Sequence, residues 1–442
     1  MTIYDVQATL AEHDQRLTTI ERALGIATPE PEPPSPSPVP PAAGQVFRPR
    51  ELAELPSNPG FGWQTFHQTA GEDRHEPVAS RSCYDRLNWS ALEPQLGVYS
   101  LDLLRNRLAA AKQAGQLFAT RVMTWNNDAG PAAYQALPGW WTNYGGARRW
   151  QPDLNDARVR GAVTNLVVNL ATVLNDPSRV DLIDIGHRGP WGEFSEENRI
   201  NLPAVSLDTF KWLVDLYVGT FTRIKVLVGA FWPLDALEYA FSKGCGWGGD
   251  SWGDFNWNHP QLYDRIVARF PQVWKQAPVR MEPAGTMNGW GGASVVGRAL
   301  DFARASHVAY LQNKLSAVPS GSLGAVQAAL RQIGYRLVVR EVAVDADWRT
   351  VRVSLTNAGT LPVYVERDLC IGLERGGQFQ TIRGGGVGGM QPGEVRDVTI
   401  PLGAGAAGQT LLVGVLNNRA EADVALAIEG RQPNGLHVVA SG

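Results

Sequence analysis

The hydrophobic positions divide the chain into three regimes. Over residues 1–26, apolar side chains recur at Ile3, Val6, Leu10, Leu17, Ile20 and Leu24, with His13 in the remaining slot of a 3-4-3-4 spacing. This is a heptad pattern about three repeats long. Leu at a with β-branched residues at d favours three or four strands over two, and a lone helix of this length is marginal in water. The segment is therefore expected to form an oligomerisation or attachment coiled coil, with a trimer favoured; an amphipathic helix lying on its own domain is the alternative. Residues 27–46, beginning ATPEPEPPSPSPVPPAAG, are too rich in proline for a helix and too poor in apolar residues for a core. They read as a semi-rigid polyproline spacer.

From residue 47 to about 320, strand-like runs alternate with helix-like ones. The predicted strands are Gly60–His67, Ala79–Leu87, Leu117–Thr124, Val180–Ile185, Ile224–Phe231, Tyr239–Phe241, Val279–Glu282 and His307–Leu311. Helical patterns fall between them, as at Leu101–Ala114, Asp156–Leu174, Leu207–Thr220 and His259–Phe270. Eight such units in this length predict a (β/α)8 TIM barrel over residues 47–320. From Gly334 the period falls to two, in short runs such as YRLVVREVAVD and TVRVSLTNAG separated by turn residues. This predicts an all-β sandwich over 334–442, acting as a rigid cap or spacer rather than a binding module. The fold class expected is thus α/β: a TIM barrel followed by a β-sandwich, preceded by a short coiled-coil helix and a Pro-rich linker.

Composition narrows the partners. A formal net charge of −3 and a pI near 6.2 give no reason to expect nucleic acid. No run approaches the ~20 apolar residues that cross a bilayer, so membrane insertion is not expected. The N-terminus has no apolar core of a signal peptide, so a cytoplasmic protein, or a virion component if phage-encoded, is anticipated. Cys83, Cys245 and Cys370 are odd in number and far apart, which points to buried free thiols. The histidines show no metal spacing, and Gly384–Gly389 opens no helix after a strand, so neither metal nor nucleotide cofactor is expected. Asp250, Asp254, Asn256 and Asn258 offer oxygen ligands, but their spacing is not an EF-hand loop and reads better as a solvated loop of an active site.

The candidate chemistry lies at the carboxyl ends of the predicted strands, where barrels carry their sites. VDLIDIGHRGPWGEF, residues 180–194, ends a buried strand in a Gly- and Pro-rich turn presenting Glu193. APVRMEPAG, residues 277–285, presents Glu282 in the same way. The other ends bring Trp63, His67, Arg86, Trp89, Trp125, Asn126, His187 and Trp191 toward the same mouth, and Trp290 follows in a Gly-rich loop. Hydrogen-bonding groups mixed with indole rings suit a sugar, whose hydroxyls need polar partners and whose C–H faces pack on aromatic surface. All of the tryptophans except Trp348 fall in this region.

The segment WSALEPQLGVY, with Trp89, Glu93, Pro94, Gly97 and Tyr99, resembles the W-x-x-x-EP-x-x-G-x-Y stretch of β-galactosidase-like barrels among the clan A glycoside hydrolases. RVMTWN, GPWGEF, MEPAG and the β-rich tail resemble a group of glycosidase-like barrels that carry a C-terminal β-sandwich. This likeness spans roughly residues 57–430. It implies Glu193 as acid/base and Glu282 as nucleophile of a retaining mechanism. Glu193 follows Gly192, however, where such enzymes usually have an Asn that binds the sugar 2-hydroxyl, so that contact must come from elsewhere, Asn126 being one choice. Glu93 is expected to be structural, pairing with an arginine such as Arg121 or Arg81. The stalk, spacer and sugar-handling head together resemble a bacteriophage tail fibre or minor tail protein. Three readings follow: a retaining glycosidase acting on cell-surface or cell-wall glycans, a glycan-binding head without turnover, or a structural virion protein joined to other tail proteins.

The heptad carries its own test. Deleting residues 1–44 should convert a trimer into a monomer by light scattering; a full-length chain that is already monomeric would remove the oligomerising role.

Overall fold

The computed structural model describes residues 43–72, 74–126, 136–141, 151–195, 203–403 and 406–441. The expected coiled coil and nearly all of the proline-rich spacer lie outside these residues. The last part of the expected spacer does not behave as one: β1 (Ala43–Phe47) joins a sheet of the C-terminal domain.

A closed parallel barrel is formed by β2 (Gly62–Phe66), β3 (Ser82–Asn88), β4 (Leu117–Met123), β5 (Val180–Asp184), β6 (Lys225–Gly229), β7 (Gly246–Trp252), β8 (Val279–Pro283) and β9 (Tyr310–Leu311). Closure is made by Gly62 and Trp63 pairing with Tyr310 and Leu311. The helices that cover it are α1 (Leu101–Gln113), α2 (Ala157–Leu174), α3 (Leu207–Thr220), α4 (Leu234–Ser242), α5 (Asp264–Arg269) and α6 (Ala293–Ala305), with α7 (Leu323–Leu330) following the barrel. In α2 the residues Val159, Ala162, Val163, Leu166, Val167, Leu170 and Leu174 share one buried face at helical spacing, and the Asp156 carboxylate accepts from the Arg158 amide to cap its N-terminus.

Seven of the predicted strands coincide with barrel strands to within a few residues. The sixth does not. Tyr239–Phe241 lies inside α4, and the strand in that place is β7, GWGGDSW. Its glycines are set by its neighbours: a Cβ on Gly248 would sit 3.0 Å from the Arg280 guanidinium, and one on Gly249 would meet Met281 and Tyr263 at 2.8 Å. The strand therefore lacks the β-branched residues by which strands are recognised.

The C-terminal domain is a sandwich of two antiparallel sheets, ordered β1-β10-β11-β14 and β13-β12-β15-β16, where β10 is Leu337–Asp345, β11 Thr350–Asn357, β12 Asp368–Arg375, β13 Gln378–Gly386, β14 Val395–Pro401, β15 Thr410–Leu416 and β16 His437–Ala440. It caps the amino ends of the barrel strands, opposite the mouth. Tyr335 and Tyr364 donate their hydroxyls to the Pro59 and Trp274 carbonyls, at 2.8 and 2.5 Å. Arg367, buried and paired with Asp423, donates to the Pro177 carbonyl at 3.0 Å. The cysteines are free and buried.

Beside the mouth, the WSALEPQLGVY segment folds into a staple. Glu93 accepts from the Trp89 indole and from the Gly97 amide, both at 2.8 Å, and the Tyr99 hydroxyl also bonds it. The expected arginine partner is thus replaced by neutral donors, and burial pushes the Glu93 carboxyl up. Glu93→Ala would remove the acceptor of three donors and should lower stability by about 2–4 kcal/mol in urea unfolding, with Glu93→Gln costing less. An alanine variant as stable as the parent would deny the staple its role.

Candidate active site

Glu193 is delivered by an unusually tight turn after β5. A Cβ on Gly186 would lie 2.1 Å from the Val122 carbonyl, so the chain can leave the barrel here only through glycine. In the next eight residues His187, Trp191 and Phe194 hold left-handed backbone conformations, as do Gly189 and Gly192. Three non-glycine residues in that region within one turn is strain of the kind that accumulates where a side chain must be aimed. The turn is fixed by the Gly189 amide donating to Gln151 Oε1 at 2.9 Å and the Trp191 amide donating to the Trp125 carbonyl at 2.7 Å.

The barrel interior beneath Glu193 is charged. β3 contributes Arg86, β4 Arg121, β5 Asp184, β7 Asp250, and β8 both Arg280 and Glu282, while Lys314 follows β9. Arg86 is the hub. Its Nη1 lies 3.1 Å from Glu193 Oε1, and its Nη2 lies 3.2 Å from Asp250 Oδ1 and 2.5 Å from Glu282 Oε1. Arg280 pairs with Glu282 Oε2 at 3.0 Å and Asp184 Oδ2 at 2.9 Å, and Arg121 pairs with the same Asp184 oxygen at 2.9 Å and with Asp250 Oδ2 at 3.3 Å. Lys314 Nζ is 2.8 Å from Glu282 Oε1, and the Gln312 amide donates to Glu282 Oε2 at 3.2 Å. Below, the Tyr84 hydroxyl donates to Asp184 at 2.8 Å and its ring lies under the Arg280 guanidinium.

The two glutamates are driven apart by this environment. Burial, with the Asp250 and Glu282 carboxylates nearby, pushes Glu193 up to about 7 against the opposing pull of Arg86 and Lys314. Burial also acts to raise Glu282, but Arg86, Lys314, Arg280 and Arg121 outweigh it and hold that carboxyl well below the usual range. Single carboxylate oxygens of Glu193, Asp250 and Glu282 all lie within 4.8 Å of one another. The group that reaches all three is the Arg86 guanidinium. One acid poised to carry a proton beside one held ionised is an arrangement that can perform acid and nucleophilic steps in one place.

Above the cluster opens a cleft of about 830 Å³. His67, Asp85, Arg86, Arg107, Asn126, Trp191, Glu193, Asp250 and Lys314 line it, with Phe66 and several smaller side chains. Of the residues expected at the site, His67, Arg86, Asn126, Trp191 and Glu193 are thereby brought together. Glu282 sits directly beneath but has 0% exposure, covered by Arg86 and Lys314. Three expectations, Trp63, Trp89 and His187, are corrected. Trp63 is buried in the core, and Trp89 is buried against Trp140, Trp141 and His187. His187 is buried with its Nε2 2.7 Å from the Tyr217 hydroxyl, and burial lowers its imidazole to about 3. Trp290 packs edge-on against Trp252, and the Trp125 carbonyl accepts from the Trp191 amide; both remain partly exposed. The stretch expected as a solvated active-site loop is split, since Asp250 points into the arginine cluster whereas Asp254 accepts from the Asn258 amide and the Trp257 backbone.

Sequence reasoning missed Arg121, Asp184, Arg280 and Lys314 as parts of the site, and reached Asp250 only as a member of an active-site loop. Arg280 stands two residues before Glu282 on one strand, a spacing that puts both side chains on the same face of a strand; that signal was available. The glycines of β7 masked the strand that carries Asp250, and Lys314 follows a two-residue strand too short to point to it.

No protein-family model matches the chain, and no curated protein matches it. Solved structures with partial likeness include the catalytic domain of beta-amylase from Paenibacillus polymyxa, at 10% identity and a TM-score of 0.41, covering 62% of this chain and 98% of that one. Xylanase 10B from Thermotoga maritima aligns at 11% identity and 0.35, covering 61% and 95%. The exo-beta-1,4-mannosidase Op5Man5 from Opitutaceae bacterium strain TAV5 aligns at 12% identity and 0.38, covering 66% and 57%. Likeness at this level carries no weight for activity, and the fold assignment rests on the strand pairing itself.

Proposed function

We propose that the barrel is a retaining glycoside hydrolase in which Glu193 is the acid/base and Glu282 the nucleophile. The observation that carries this reading is the pair itself: carboxylate oxygens within 4.8 Å, one acid raised to about 7 and the other held well below its usual range. A retaining mechanism asks for two carboxyl groups about 5–5.5 Å apart. Glu193 would give its proton to the glycosidic oxygen as the bond to the anomeric carbon breaks, while the Glu282 carboxylate attacks that carbon. Water activated by the then ionised Glu193 would release the sugar and restore both groups. Lys314 would have to swing from Glu282 Oε1 for that oxygen to reach the sugar.

A second reading is a glycan-binding head without turnover. It is favoured by the state of Glu282, which has no exposure and meets four donors, from Arg86, Lys314, Arg280 and Gln312. A carboxylate so engaged is a poor nucleophile unless Lys314 yields. Display on an oligomeric stalk, as on a phage tail, is a further part of the proposal and is supported by the sequence pattern of residues 1–46 alone.

The hydrolase reading fixes a pH profile. Glu193 must be protonated, so kcat/KM should be high below pH 7 and fall as pH rises through about 7, the value to which burial and its carboxylate neighbours push it. The acid limb should lie well below the ordinary glutamate range, because Glu282 stays ionised there. Glu193→Gln should cut kcat/KM on glycans by roughly 10²–10⁴-fold and abolish the basic limb, and Glu282→Gln should abolish turnover with the fold retained. Normal turnover in either variant would exclude this mechanism, and glycan retention without cleavage by the parent protein would establish the binding head.

A further inference from the structure

The cleft is lined differently from the aromatic sugar site that the tryptophan content leads one to expect. Among the described lining residues the aromatic ones are Phe66 and Trp191, and the rest of the polar wall is dominated by ionisable groups. Neutral sugars are held largely by ring stacking and hydroxyl contacts; a wall of charges has a different use.

The charges that the cleft wall exposes are mainly cationic: the side chains of Asp85, Glu193 and Asp250 are almost wholly buried, whereas Lys314 and Arg107 reach solvent. Glu282 is paired to Arg86 through one oxygen and to Arg280 through the other, and Lys314 adds a third cation from the cleft side. Lys314 also differs in position: the arginines of the cluster are almost wholly buried, whereas its side chain is 20% exposed and lines the cleft. An ammonium has three donors, and the contact with Glu282 uses one. Nearby, Arg107 lines the same cleft half-exposed, its Nε 3.1 Å from an Asp85 that also serves His67.

We propose that the glycan taken by this cleft is acidic, a uronic acid or similarly carboxylated sugar whose carboxylate pairs with the Lys314 ammonium, with Arg107 as the second cationic contact. A neutral sugar would desolvate the exposed side of the Lys314 ammonium without offering it a charged partner, whereas a carboxylate gives it a charge-assisted one. Binding such an anion would also draw Lys314 away from Glu282 Oε1, the movement that attack by Glu282 needs. This inference rests on the reading of the cleft as a glycan site, though not on whether turnover occurs there.

The test is calorimetric titration of the full chain, at pH 6 and low salt, with oligomers of galacturonic, glucuronic and mannuronic acid and with the same oligomers after reduction of their carboxyl groups. At least one acidic oligomer should bind about tenfold or more tighter than its reduced form, a ratio in keeping with a charge-assisted contact. Lys314→Met should remove that preference, and Lys314→Arg should keep it, which guards against a mere folding defect in the methionine variant. Equal binding of acidic and reduced forms, binding of neither, or an equal loss for both in Lys314→Met would overturn the proposal. Cleavage assays on the same panel separate the two readings. Glu193-dependent cleavage with no preference for acid would leave the hydrolase standing and remove the acidic substrate; Lys314-dependent binding of acid without cleavage would do the reverse.

Discussion

The Arg86 guanidinium is the constraint on which the rest of this molecule depends. It brings Glu193, Asp250 and Glu282 together at the carboxyl ends of three different barrel strands or the turns that follow them. Each of these carboxylates would be prohibitively costly to bury alone. Together with Arg121, Arg280 and Asp184 they form a network in which each charge has a partner of opposite sign. Barrel interiors are usually filled by layers of branched apolar residues. Here the upper interior is filled by ion pairs, so packing of the barrel and construction of the site are one problem.

Rigidity is supplied from two sides. At the amino ends of the strands the sandwich is tied on by buried Arg367 and by the hydroxyls of Tyr335 and Tyr364, which leaves the mouth unobstructed by the second domain. At the mouth, the left-handed residues of the turn after β5 hold Glu193 where Arg86 can reach it. Such backbone strain costs of order 1–3 kcal/mol per residue and persists only if the surroundings over-determine it. The close approach of Gly186 to Val122 and the bonds from Gln151 and Trp125 do so.

How much of this could be read from the sequence varied with the physical origin of each signal. Period-two and helical patterns reflect local burial, so the barrel, the sandwich and most of their strands were legible. β7 was not, because its glycines answer to Arg280, Met281 and Tyr263, which are remote in sequence. Glu193 and Glu282 were legible because a turn must follow a barrel strand and its polar residue must face the mouth. The tryptophans misled for the opposite reason: an indole at a strand end is as well suited to the core, and Trp63 and Trp89 went there. The W-x-x-x-EP-x-x-G-x-Y likeness likewise marks a hydrogen-bonded staple rather than the chemistry. Charge pairing among distant residues leaves little local pattern, which is why Arg86 was legible at a strand end but its pairing with Arg121, Arg280 and Asp184 was not.

The same network sets what the site can and cannot become. Removing one partner of a buried pair costs about 3–5 kcal/mol, against a total stability of roughly 5–15 kcal/mol for a domain. A charge in the cluster therefore cannot drift without a compensating change opposite it, and the carboxylates are locked to the arginines by folding as well as by function. Lys314 escapes this lock. It lies on the cleft wall, partly exposed, and reaches Glu282 from the side opposite the buried arginines. It is accordingly the member of the described cluster best placed to exchange its partner, so its position over Glu282 is explained by what enters the cleft as well as by what holds the barrel together.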